Sequence, residues 1–170
     1  MFPIAITLLA LAAEPKETDS NFANLPPLVA AIAKAESVTL YEGLPHQVHE
    51  ADLLKSELAA QKTVSRHGFP FYAATLPLKE KDAKALLALA ADDKAYQPWA
   101  GAKMCGGFHP DYLVEFRVGK DVYRMQVCFG CQEVKLFGPK RELYADMSDK
   151  GLHGLEALLK GYRKSRPKSQ

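Results

Sequence analysis

Cysteine is scarce here: in 170 residues there are three, Cys105, Cys128 and Cys131. Charge of one sign is lacking too. Lys and Arg number 22 against 20 Asp and Glu, a net charge of +2. No basic stripe interleaved with aromatics is present, so the electrostatic footprint of a nucleic-acid binder is missing. No apolar run is long enough to cross a bilayer, which takes about 20 residues as a helix. The chain also lacks a nucleophile elbow, a phosphate loop, a dinucleotide fingerprint and an H-E-x-x-H pair, so no motif names a reaction. Internal repeats and low-complexity stretches are absent.

At this length the chain can bury one core. Four regions follow from composition. Residues 1–13 form an export signal: Phe2 to Ala13 is uncharged, ends in Ala10-Leu11-Ala12-Ala13, and turns polar at Glu14. Its weakness is an n-region without Lys or Arg. Residues 14–25 read as a linker, 26–163 as a single globular domain, and 164–170 as a disordered basic tail. Export places the mature chain in the periplasm or cell envelope, where disulfides persist. No membrane span remains in the mature chain, and no partner can be named from it.

The pattern inside the domain is α+β, with a mostly antiparallel sheet packed by three to four amphipathic helices. Pro26-Pro27 opens a helix running to Ala35. Leu53, Leu54 and Leu58 mark one face of a helix over 50–58. Ala83, Leu86, Leu87, Leu89 and Ala90 do so over 79–91, and Leu152, Leu155, Leu158 and Leu159 over 150–163. Ser37 to Tyr41 is a strand, and extended segments surround Gly68. Residues 92–110 read as a loop.

A hairpin over 111–128 is the strongest local prediction. Tyr112, Val114, Phe116 and Val118 alternate with polar residues, as do Tyr123, Met125 and Val127. A two-residue turn at Gly119-Lys120 puts Phe116 opposite Tyr123, Val114 opposite Met125, and Glu115 opposite Arg124. Glu133 to Phe137 alternates again as a third strand. This register brings Asp111 opposite Cys128 and His109 beside Gly130, with Cys105 one Gly-Gly loop away.

Three readings of the cysteines stay open. A disulfide from Cys105 to Cys128 or Cys131 would tie loop to sheet and leave one thiol over. Cys105, His109, Cys128 and Cys131 also supply a tetrahedral metal set, with zinc as the ion. Cys128-Phe-Gly-Cys131 could act as a redox pair, although strands rather than a helix start flank it. Gln132 stands where a haem motif needs His. His46, His49 and His67 read as exposed loop histidines rather than a second site. Trp99, Phe108 and Tyr112 are candidates to line a pocket nearby.

The segments Cys105-Gly-Gly-Phe-His-Pro-Asp-Tyr112 and Cys128-Phe-Gly-Cys131 resemble a pattern in bacterial proteins of no assigned activity, many of them exported. Tyr41-Glu-Gly-Leu-Pro-His46 is similar to a segment in a subset of them. The resemblance spans most of 38–160 and is sharpest over 103–137. It implies that the cysteines and hairpin form one unit, and it carries no mechanism. The expectation is a non-enzymatic binding or interaction module with no cofactor. Its rival is a zinc- or thiol-dependent enzyme built on Cys105, His109, Cys128 and Cys131.

Overall fold

The computed structural model describes residues 21–167. The apolar leader, most of the expected linker and the last three residues lie outside that span. In chain order the strands are β1 (Ser37–Gly43), β2 (Thr63–Arg66), β3 (Phe69–Leu76), β4 (Tyr96–Pro98), β5 (Tyr112–Val118), β6 (Asp121–Cys128), β7 (Glu133–Phe137) and β8 (Glu142–Met147). The helices are α1 (Leu25–Ile32), α2 (Ala51–Ala60), α3 (Glu80–Ala90) and α4 (Asp149–Leu159). The strands form one curled antiparallel sheet, a half-barrel, in the order β2-β3-β1-β5-β6-β7-β8-β4.

Alternation along β5 to β8 sets one face of this sheet. Val114, Phe116, Met125, Val127, Val134, Leu136, Leu143 and Ala145 are buried in one cluster with Leu28 and Ile32 of α1, Leu86 and Ala90 of α3, and Leu155 and Leu159 of α4. Side chains on successive residues of a strand point to opposite faces, so this set follows from the period of two. Pro26 and Pro27 occupy the first turn of α1, where their missing amide hydrogens cost nothing. Ser148 caps α4, its side chain accepting from the Gly151 amide at 3.2 Å.

In the hairpin, Phe116 pairs with Tyr123, Val114 with Met125, Tyr112 with Val127 and Glu115 with Arg124. Gly119, at φ +57°, takes the first turn position, which favours glycine. A second tight turn joins β2 to β3. There His67 (φ +47°) and Gly68 (φ +84°) both take the left-handed conformation, as the type I′ form of a two-residue hairpin turn requires. The His67 ring stacks on Phe137, centroids 3.7 Å apart.

Four boundaries differ from the sequence pattern. The linker expected to reach residue 25 ends sooner: Phe22–Asn24 forms a 3-10 turn, and Leu25 is buried. Part of the expected 92–110 loop is strand β4, which pairs with β8 through Tyr96 opposite Met147. The last helix stops at Leu159 and gives way to a 3-10 turn over Lys160–Tyr162. Finally, α2 buries none of its residues. Its inward face includes Glu57, which accepts from the Tyr72 hydroxyl at 2.8 Å, and that turns Leu58 out to solvent.

Candidate functional site

The second face of the sheet carries the chemistry. The residues that alternate with the apolar set are Glu115, Arg124, Gln126, Cys128, Glu133, Lys135, Tyr144 and Asp146. On a sheet with one wet face these would be solvated. Here the long loop between β4 and β5 folds over Glu133 and Asp146, and Gln126 donates to the Arg66 carbonyl of the β2–β3 hairpin at 2.9 Å, so all three are buried. Buried charge has to be paired, and it is. Lys103, from the loop, reaches both Glu133 at 3.2 Å and Asp146. Trp99 Nε1 and the Tyr144 hydroxyl donate to Glu133 at 3.0 and 2.6 Å. Lys135 lies over the rings of Phe108 and Tyr144, 4.6 and 4.5 Å from their centroids.

The loop is fastened by sulfur. Cys105 and Cys131 form a disulfide with their Cα atoms 5.6 Å apart, and Cys128 remains a buried free thiol. The three cysteines pack with Phe108, Phe69 and Tyr144. Tying off the 26-residue separation stabilises the fold by about 3 to 4 kcal/mol on a chain-entropy estimate. The Cys131 amide donates to Cys128 Sγ at 3.3 Å. Burial pushes the Cys128 thiol up, and the amides of His109 and Cys131 offset only part of that.

Two of the four predicted zinc ligands are therefore bonded to each other. The histidines do not replace them. His46, His49 and His109 do come together, with ring centroids 4.5 Å apart for His46–His49 and 4.7 Å for His46–His109. Their partners fix where the ring protons sit. His46 Nδ1 accepts from the amides of Val48 and His49 at 3.0 and 3.2 Å, so its proton is on Nε2. His109 Nε2 donates to the Leu44 carbonyl at 2.7 Å, and His49 Nε2 faces the Cys105 carbonyl at 3.2 Å. Neither His46 nitrogen thus offers a metal a lone pair. Among the described residues no group of three or more His, Cys, Asp or Glu side chains is arranged to hold a metal ion. The disulfide and the histidine contacts do not fit zinc in this state.

Sequence reasoning treated His46 and His49 as bystanders, and the fold joins them to His109. His67 stands elsewhere, at the β2–β3 turn. Trp99 and Phe108 lie in the polar and sulfur layer, whereas Tyr112 belongs to the apolar face. Burial holds His46 and His109 below the ordinary imidazole value of 6.5, with the Arg166 charge adding to the effect.

Beside His109 is a cavity of about 210 Å³, lined by Leu44, Pro45, Leu54, Phe69, Pro70 and Pro110, with Gln47 and His109 as polar groups. It has room for an apolar group of side-chain size. Val48, next to the lining residue Gln47, is 59% exposed, and Met104, next to Cys105, is fully exposed.

One more constellation is invisible in the local pattern of residues. Residues 164–166, the start of the tail expected to be disordered, are held instead. Arg166 is paired with Glu50 at 2.7 Å and with Asp111 at 2.8 Å, its side chain only 12% exposed. Glu42, buried at the end of β1, accepts the backbone amides of Lys164, Ser165 and Arg166. These contacts join positions 55 or more residues apart, and no local pattern encodes them.

No protein-family model matches the chain, and no curated protein is significantly similar to it. Among solved structures, it is similar to one described as "Putative Lipoprotein from Clostridium perfringens", at 11% identity and a TM-score of 0.40. That match covers 83% of this chain and 91% of the other. A likeness at that level carries no argument about what the protein does.

Proposed function

We propose that the protein is exported to the cell envelope and serves there as a non-enzymatic binding module, its cysteine unit structural. The Cys105–Cys131 bond carries the reading. Disulfides of this kind persist in oxidising compartments and are rare in a reducing cytosol. The uncharged run Phe2 to Ala13, with small residues before polar Glu14, supplies a matching leader. Among the described residues no helix is long and apolar enough to cross a membrane. The cavity beside His109, with exposed Val48 next to its lining residue Gln47, supplies an apolar surface for a ligand or partner.

The test is to express the full chain in a bacterium, fractionate the cells, and alkylate the denatured, unreduced protein before mass spectrometry. The expected product is periplasmic, begins at Glu14 and carries one alkyl group, on Cys128. A cytosolic product with three alkylated cysteines, or with bound zinc, would sink the reading. It would favour zinc- or thiol-dependent chemistry on Cys105, His109, Cys128 and Cys131.

A further inference from the structure

Three carboxylates from separate elements converge on the tail. Glu42 ends β1, Glu50 precedes α2, and Asp111 leads into β5. Two of them, Glu50 and Asp111, are held in place independently of the tail. Glu50 Oε2 also accepts the His46 amide at 2.8 Å. Asp111 Oδ2 accepts the Phe129 amide at 2.8 Å, leaving Oδ1 for Arg166. Glu42 is 1% exposed and finds its partners in three successive amides, those of Lys164, Ser165 and Arg166. A carboxylate taken out of water without such partners is costly, so this site is built around an occupant.

The grip on that occupant is nearly independent of sequence. Successive backbone amides wrapping one anion form a nest, a recurrent way of binding a charged group to a peptide. Residues 163–165 keep their side chains exposed. Among the described tail residues the side chain that reaches in is that of Arg166, whose planar guanidinium spans Glu50 and Asp111 with separate nitrogens. A lysine, with a single nitrogen, could not bridge the two in the same way.

From this geometry we infer that Glu42, Glu50 and Asp111 form a binding socket for an extended, arginine-bearing segment of a partner polypeptide, and that the chain's own tail occupies it as an exchangeable intramolecular ligand. An incoming segment needs three free amides and one arginine. The tethered tail competes at a high effective concentration, so the socket opens to a partner only when the tail is displaced. The inference does not depend on export.

The experiment uses full-length chain carrying Arg166→Ala, and a fluorescent peptide with the sequence of residues 161–167. Circular dichroism first checks that the variant is folded. Fluorescence anisotropy should then show the peptide binding the variant at least about tenfold more tightly than the unaltered chain, the tail's competing arginine having been removed. The same peptide with alanine in place of the arginine corresponding to Arg166 should lose that binding. Equal affinity for both chains, no binding to the variant, or indifference to the arginine would each overturn the inference. Should Arg166→Ala not fold, the unaltered chain serves. Excess peptide should then accelerate hydrogen exchange at the amides of 164–166, and unchanged exchange would overturn the inference.

Discussion

His46 and His109 show how burial at single residues governs the response of the whole chain to acid. Burial holds both below the ordinary value of 6.5; at His109 the Arg166 charge adds most to that, and at His46 the neighbouring His49 does, ahead of Arg166. The unfolded chain binds their protons more readily than the folded one. Their contribution to stability is therefore complete above about pH 6.5 and is lost as pH falls through the depressed folded values. Glu50 adds to this at lower pH. Burial raises its carboxyl, but the His46 amide and Arg166 outweigh burial and leave it below the usual range. The thermal midpoint should accordingly fall between about pH 7.5 and about pH 5, and replacing His109 with Gln should flatten that slope. Scanning calorimetry across that range checks it. Gly106 offers a second test at this scale. Its φ of +82° disfavours any side chain, and a Cβ there would stand 2.6 Å from His49 Nε2. Gly106→Ala should cost about 1 to 3 kcal/mol in urea unfolding.

Among the elements, α4 and the β4–β5 loop depend on single fastenings. Ser148 satisfies the Gly151 amide at the start of α4, so Ser148→Ala should cost about 1 kcal/mol, measured by urea denaturation. The loop over the polar face relies on the Cys105–Cys131 bond and on Lys103. Reduction, or the double change Cys105→Ser and Cys131→Ser, should lower stability by about 3 to 4 kcal/mol. The far-UV spectrum should survive, because the main core lies on the opposite face. Its loss on mild reduction would show that the sheet cannot stand without the loop.

Over the whole molecule, the apolar layer between the half-barrel and helices α1, α3 and α4 holds the fold. Leu136, fully buried in the middle of β7, is a direct probe. Leu136→Ala should cost about 2 to 5 kcal/mol, several times any change on the solvated flank of α2. Equilibrium urea unfolding compares the two. The other face contributes differently: Lys103, Glu133, Asp146, Tyr144 and Trp99 form a paired network that positions the loop, the disulfide and the cavity.

Local spacing by itself located the four helices, though not their ends, and the β5–β6 register, because period and turn chemistry act over a few residues. It also determined that the cysteines gather at one end of that hairpin. Which cysteines bond, and which thiol is left over, was decided by the path of the β4–β5 loop, which no short pattern specifies. The same holds for the burial of the face bearing Glu133 and Asp146. Alternation marks these residues as polar, and only the loop folding over them makes the face interior. The joining of His46 and His49 to His109, and the capture of Arg166 by Glu50 and Asp111, were likewise tertiary decisions. Those contacts link residues roughly sixty or more positions apart, where geometry comes from how the sheet curls rather than from the order of neighbouring residues.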